Sequence, residues 1–185
     1  MELWKPGETL EVVSAFGKNS ARILDGGQYV LSIERVLEPI DFYYSNASAP
    51  PWLQVLYQWN GQNYVETARR FTPSPQRTVT WFVGHLANGS LKEARALTTS
   101  DDVMNRVWKV LPTRKQDIPA LLLPPPQLPK WVEDEGGYWE ALPEGLRGPQ
   151  PPATAKVVWP FGKEYQLIVE RINGEWLVTG FEPRN

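Results

Sequence analysis

Cysteine is absent from the 185-residue chain, and histidine occurs once, as His85. The first absence excludes a disulfide framework, a thiol nucleophile, a zinc knuckle and an iron–sulfur cluster. The second excludes a metal site built from two histidines of one chain. Cations are not in excess either: 19 Lys+Arg stand against 21 Asp+Glu, a formal net charge of −2. That balance gives no basic footprint for nucleic acid, and none is expected as a partner. No apolar run approaches the roughly 20 residues that span a bilayer. The start, Met1-Glu2-Leu3-Trp4-Lys5-Pro6-Gly7-Glu8, has no basic n-region and no apolar h-region, so it does not read as a signal peptide. Any signal or anchor is expected to precede Met1. A Gly-x-Ser-x-Gly elbow, a phosphate-binding glycine loop and a dinucleotide fingerprint are all missing, so no cofactor is expected.

What is abundant is proline, with 18 residues, and tryptophan, with nine. Eleven of the prolines fall between Pro112 and Pro160, including Pro124-Pro125-Pro126 and Pro151-Pro152. They favour extended chain and forbid long regular elements. The same stretch carries Leu121-Leu122-Leu123, Trp131, Tyr138 and Trp139, residues in which disordered linkers are poor. An ordered, irregular excursion is expected there, with a short helix near Trp131–Glu135.

Elsewhere the pattern is regular. Asp25-Gly26, Asn60-Gly61 and Asn173-Gly174 each separate two alternating segments, the signature of hairpins closed by tight turns with positive φ. Tyr29, Leu31 and Ile33 alternate with Gln28, Ser32 and Glu34, and Tyr165, Leu167 and Val169 with Glu164, Gln166 and Glu170. Such alternation describes half-buried strands. Between the hairpins, Ser74-Pro75 reads as an N-cap with proline at the first helical position. Val79, Phe82, Val83 and Leu86 then form one buried helical face. Ser90-Leu91-Lys92-Glu93 has capping-box spacing and opens a short helix with Leu91, Ala94 and Leu97 inward. Ser100 caps a third helix with the stripe Val103, Val107 and Leu111, stopped by Pro112. The fold class is therefore α+β: N-terminal antiparallel hairpins, then three helices on an antiparallel sheet, with a proline-rich irregular insertion. The expected division is a β-rich segment over 1–72 and an α+β domain over 73–185, the insertion covering 112–153.

The order from Ser74 onward, with "Ala87-Asn88-Gly89-Ser90-Leu91-Lys92-Glu93-Ala94" and the closing "Ile172-Asn173-Gly174-Glu175-Trp176-Leu177-Val178", resembles the nuclear transport factor 2-like superfamily. The resemblance implies a cone-shaped α+β fold whose curved sheet wraps the long helix. The closing hairpin is especially similar to exported bacterial members of unknown function, which implies an extracytoplasmic or cell-surface place. Related folds often pair through the open sheet face, so a homodimer is one assembly to test.

Three functional readings compete. The first is a non-catalytic module binding a protein, peptide or cell-envelope component. The second is a small isomerase- or dehydratase-type enzyme. It would use His85, which titrates near neutrality, with Asp101 or Asp102 as acid–base partners in the cone's pocket. Against it, Asp101 and Asp102 stand where a helix N-terminus favours acids, and a boundary histidine is a common structural residue. The third is a carbohydrate-binding surface made of Trp131, Tyr138 and Trp139, since exposed rings stack on sugars; anchoring of the irregular segment explains the same rings. Trp81, Trp108, Trp159 and Trp176 lie in regular elements and are expected in the core. No metal site is expected: Glu133-Asp134-Glu135 is a compact acidic run without the alternating ligand spacing of a calcium loop.

Overall fold

The computed structural model describes residues 20–35, 52–122, 125 and 138–184. The chain divides into two compact units, and the architecture is α+β with two antiparallel sheets.

The first unit is a four-stranded meander in the order β1 (Ser20–Leu24), β2 (Tyr29–Arg35), β3 (Trp52–Trp59) and β4 (Tyr64–Phe71). Antiparallel pairing sets Leu31 opposite Leu56, and Leu56 opposite Ala68. With Leu24, Tyr29 and Ile33 these residues make one apolar face. Period-2 alternation puts them there together, because every second side chain of a strand shares a side. A single sheet face of this kind has to be covered, and residues 138–142 of the same unit cover it. Trp139 and Leu142 complete the cluster with Leu31 and Leu56.

Both loops of this unit are longer than their Asp-Gly and Asn-Gly pairs imply. Leu24 pairs with Tyr29 and Trp59 with Tyr64, so each loop has four residues, 25–28 and 60–63. In the first, three consecutive residues, Asp25, Gly26 and Gly27, all have positive φ. The buried Tyr64 hydroxyl donates to the Gly27 carbonyl, which fixes this longer shape. In the second, Asn60 Oδ1 accepts from the N–H groups of Gln62 and Asn63, at 2.9 Å each. That side-chain turn competes with the two-residue alternative.

The second unit has three helices and a three-stranded meander. α1 (Pro75–Asn88) starts as the sequence implies: Ser74 Oγ accepts from Arg77 N–H, and Pro75 occupies the first turn. Gly89 ends it in the left-handed region at φ 75°. Val79, Phe82, Val83 and Leu86 are all buried. α2 (Leu91–Arg95) departs from the expected box, because the Ser90 side chain makes no capping bond. Ala94 is buried, but Leu91 is 39% exposed rather than inward, since five residues form little more than one turn and only one side of it meets the core. α3 (Asp101–Val110) is capped by Ser100 Oγ, which accepts from Asp102 and Val103 N–H. Its Val103 and Val107 are buried. Leu111 is extended, at ψ 137°, as a residue before proline must be, and the helix ends there.

The closing sheet runs β5 (Ala155–Phe161), β6 (Tyr165–Ile172) and β7 (Glu175–Pro183). Only the β6–β7 connection is the two-residue turn its Asn-Gly signals. Ile172 pairs with Glu175, and Asn173 and Gly174 have φ of 52° and 87°. Strand β5 begins just past the expected insertion 112–153 and takes in the last proline of the proline-rich stretch, Pro160. It tolerates Pro160 because it lies at the edge of the described sheet, where a missing N–H breaks no ladder. One face of the sheet, with Val157, Trp159, Phe161, Leu167, Val169, Trp176, Val178 and Phe181, joins the core formed with α1 and α3. The other edge is closed at β7: Val178 N–H donates to the Leu97 carbonyl, and the Val178 carbonyl accepts from Thr99 N–H and Thr98 Oγ1. Arg171 is buried and donates through Nη1 to the carbonyls of Pro151 and Pro152, tying the Pro-Pro corner to β6. None of the described helices is long and apolar enough to cross a membrane.

On the opposite face Gly180 stands beside Ile168, and a Cβ there would lie 2.9 Å from Ile168 Cγ1. Ile168 Cβ, 3.1 Å from the same position, is fixed by the backbone, and the stiff χ1 of a β-branched side chain leaves Cγ1 little room to swing away. Gly180→Ala is therefore expected to destabilise the protein by about 1–3 kcal/mol. In an Ile168→Ala background part of that loss should vanish, as a double-mutant cycle in urea would measure. Additive losses would show that the two positions do not compete for space.

Candidate functional site

α1 is buried on most of its circumference, and its half-buried stripe is Arg77, Trp81 and His85. Spacing of four residues stacks these side chains along one face. The Arg77 guanidinium lies over the Trp81 ring, 4.2 Å from its centroid. Trp81 then meets His85 edge to face at 6.2 Å. Such a ladder is a cation–π contact continued by an aromatic pair. Burial lowers the His85 pKa below 6.5, and the nearby Glu93 carboxylate raises it by less.

The acids proposed as its partners are engaged elsewhere. Asp101 Oδ1 pairs with Arg95 Nε, and Asp102 Oδ2 with Arg106 Nε at 2.9 Å. Both carboxylates are exposed at the start of α3, where unpaired amide groups favour negative charge. Arg95 also donates to the Thr98 carbonyl, and Arg106 to that of Phe181. The two arginines thereby fasten α3 to α2 and to β7. His85 faces Trp81 and Glu93, and no hydrogen bond joins it to either aspartate. The described residues hold no group of three His, Asp or Glu side chains suited to a metal.

Of the three aromatic residues read as a sugar-binding surface, Trp131 and the acidic run 133–135 lie outside the described residues, as does the helix expected near them. Tyr138 is half-buried. Trp139 is only 6% exposed. Its ring packs in the first unit's core, and Arg70 lies over it at 4.9 Å. Arg70 also donates to Gln54 Oε1 at 2.9 Å and to the Tyr138 carbonyl. Trp139 thus anchors its segment and has no open face for stacking.

Among the tryptophans whose side chains are described, the exposed one is one expected inside. Trp81, Trp159 and Trp176 are in or against the core, but Trp108 is 44% exposed. The reason is angular. Val103 and Val107 turn inward, and Trp108 follows Val107 by about 100° of helix rotation. Its indole has no hydrogen bond and no ring partner among the described residues. Lys109 follows on the same helix, and Arg114 in the turn beyond it. The signal was available in the sequence: position 108 falls off the 103–107–111 stripe.

Comparison with known proteins finds no matching family model, no matching curated protein and no matching solved structure.

Two measurements follow from these placements. Trp139→Ala should destabilise the protein by about 3–5 kcal/mol, as expected for emptying a ring-sized core site. A loss under 1 kcal/mol in urea would return Trp139 to the surface. His85, with its pKa lowered by folding, binds a proton more readily in the unfolded chain. Its contribution to stability is present above about pH 6.5 and is lost as the pH falls through the folded pKa. His85→Gln should therefore flatten the fall in stability between neutral and mildly acidic pH. An unchanged slope would show that His85 titrates alike in both states.

Proposed function

We propose that the chain is a non-catalytic binding module acting on a protein, peptide or cell-envelope component. The observation that carries this reading is Trp108: a large ring, 44% exposed on a regular helix, with no partner among the described residues. Tryptophan is the residue type most enriched where binding energy concentrates, because one rigid ring buries a large apolar area at low entropic cost. The three groups weighed as an acid–base set are committed to structural work. Asp101 and Asp102 each hold an arginine, and His85 is part of a stacked stripe.

For the second unit the proposal extends to a nuclear transport factor 2-like relationship. Its support is the order of three helices followed by an antiparallel meander whose apolar face packs against the long first helix. An extracytoplasmic place belongs to the same proposal, since the closing hairpin Asn173–Val178 is similar to that of exported members. Fractionation of cells expressing the complete native gene tests this point; recovery in the cytoplasm alone would remove it.

The binding reading is tested by selecting displayed random peptides on the immobilised full chain. Selected peptides are expected to compete with one another and to lose at least tenfold in affinity for Trp108→Ala, the size of a hot-spot truncation. Peptides that bind the variant as well as the parent would place the contact elsewhere and remove Trp108 as its centre.

A further inference from the structure

Along the sequence around Trp108, cations predominate. Between Asp102 and Asp117, residues 103–116 contain Arg106, Lys109, Arg114 and Lys115 and no acid, in a chain whose net charge is −2. Two of these cations are occupied. Arg106 holds Asp102 and the Phe181 carbonyl, and Lys115 Nζ donates to Asn88 Oδ1 at 2.8 Å. Lys109 and Arg114 are exposed, and neither has an ion pair or side-chain hydrogen bond among the described residues. Lys109 gains from the negative end of the α3 dipole, but Arg114 lies past the helix and gains nothing there. A free ring with one free cation next in sequence and another six residues on, in a chain of net negative charge, is complementary to a segment carrying carboxylates beside an apolar or aromatic side chain.

Resting on the binding reading above, we infer that the C-terminal end of α3 docks an acidic polypeptide segment, with Trp108 taking its apolar side chain and Lys109 and Arg114 its carboxylates. An extended strand advances about 3.3 Å per residue, so a few residues reach from Lys109 to Arg114. A lipid surface fits less well. Met104 and Leu111, the apolar neighbours of Trp108 along the helix, pack on the core, which leaves a single ring and no continuous apolar face to enter a bilayer. Opposite charges at such a rim speed encounter and select partners more than they add affinity.

The test uses the full chain and dye-labelled copolymers followed by fluorescence anisotropy. The probes are poly(Glu,Tyr), poly(Glu) and poly(Lys,Tyr), with phosphatidylglycerol-containing vesicles as a separate arm. Poly(Glu,Tyr) should bind best, and its affinity should fall about tenfold in the double variant Lys109→Glu/Arg114→Glu. Raising salt to about 0.3 M should weaken it similarly. Trp108→Ala should weaken poly(Glu,Tyr) severalfold and leave poly(Glu) nearly unchanged. All three positions are exposed, and circular dichroism would verify that the variants keep their fold. Sensitivity to Trp108→Ala without sensitivity to the charge reversal would overturn the acidic partner and leave the binding reading standing. Insensitivity to Trp108→Ala would overturn both. Vesicle binding that depends on Lys109 and Arg114, with no copolymer binding, would overturn the polypeptide in favour of a membrane.

Discussion

A three-stranded sheet with one largely apolar face is unstable unless something covers it, and in the second unit that cover is α1 with α3. The requirement shapes the unit. Trp159 and Phe82 are fully buried, along with Leu167, Val169 and Val178. Packing is favoured so strongly there that polar atoms are sacrificed to it, among them the Trp159 indole N–H, which is buried without a hydrogen-bond partner. Such an atom costs about 1–3 kcal/mol, which the ring's own burial offsets. The same requirement turns α1 inward on nearly every side. Its half-buried stripe is left to Arg77, Trp81 and His85, which stack on one another.

That arrangement affects where chemistry is available. A helix committed to covering a sheet has little surface for a polar site, and the acids weighed as partners of His85 stand on α3 instead. There the acids at the start of α3 are matched by arginines that also reach backbone carbonyls. Exposed ion pairs contribute little by themselves. Their value here is geometric, because each arginine bridges two elements. Past the middle of α3, Trp108, Lys109 and Arg114 are without structural work among the described residues.

The elements with strong local signals were legible from the chain alone. Ser74-Pro75 and Ser100 cap their helices, the 79–82–83–86 face is buried, and Asn173-Gly174 closes a two-residue hairpin. Local reading failed where a distant or side-chain bond overrides a dipeptide preference. Tyr64 holds Gly27, and Asn60 captures two amides, so both N-terminal loops are longer than Asp-Gly and Asn-Gly imply. Ser90 has the capping-box spacing but not the backbone angles for it, at φ −81° and ψ 69°. Strand β5 was hidden because Pro160 argues against a central strand, and edge position cannot be read from one sequence.

The candidate site was harder to read than the fold, and two tryptophans explain why. Trp139 stands in a proline-rich segment without periodicity, where nothing local distinguishes a buried anchor from an exposed platform. Its fate is set by Leu31, Leu56 and Arg70, distant in sequence. Trp108 stands in a helix, where membership of a regular element argues for the core, and its angle relative to Val107 decides otherwise. An aromatic residue's role is therefore set by the face it occupies, and the helix period is the more reliable guide to that face than the element's presence. Trp108 could have been placed by that rule; Trp139 could not, because an irregular segment has no period to apply.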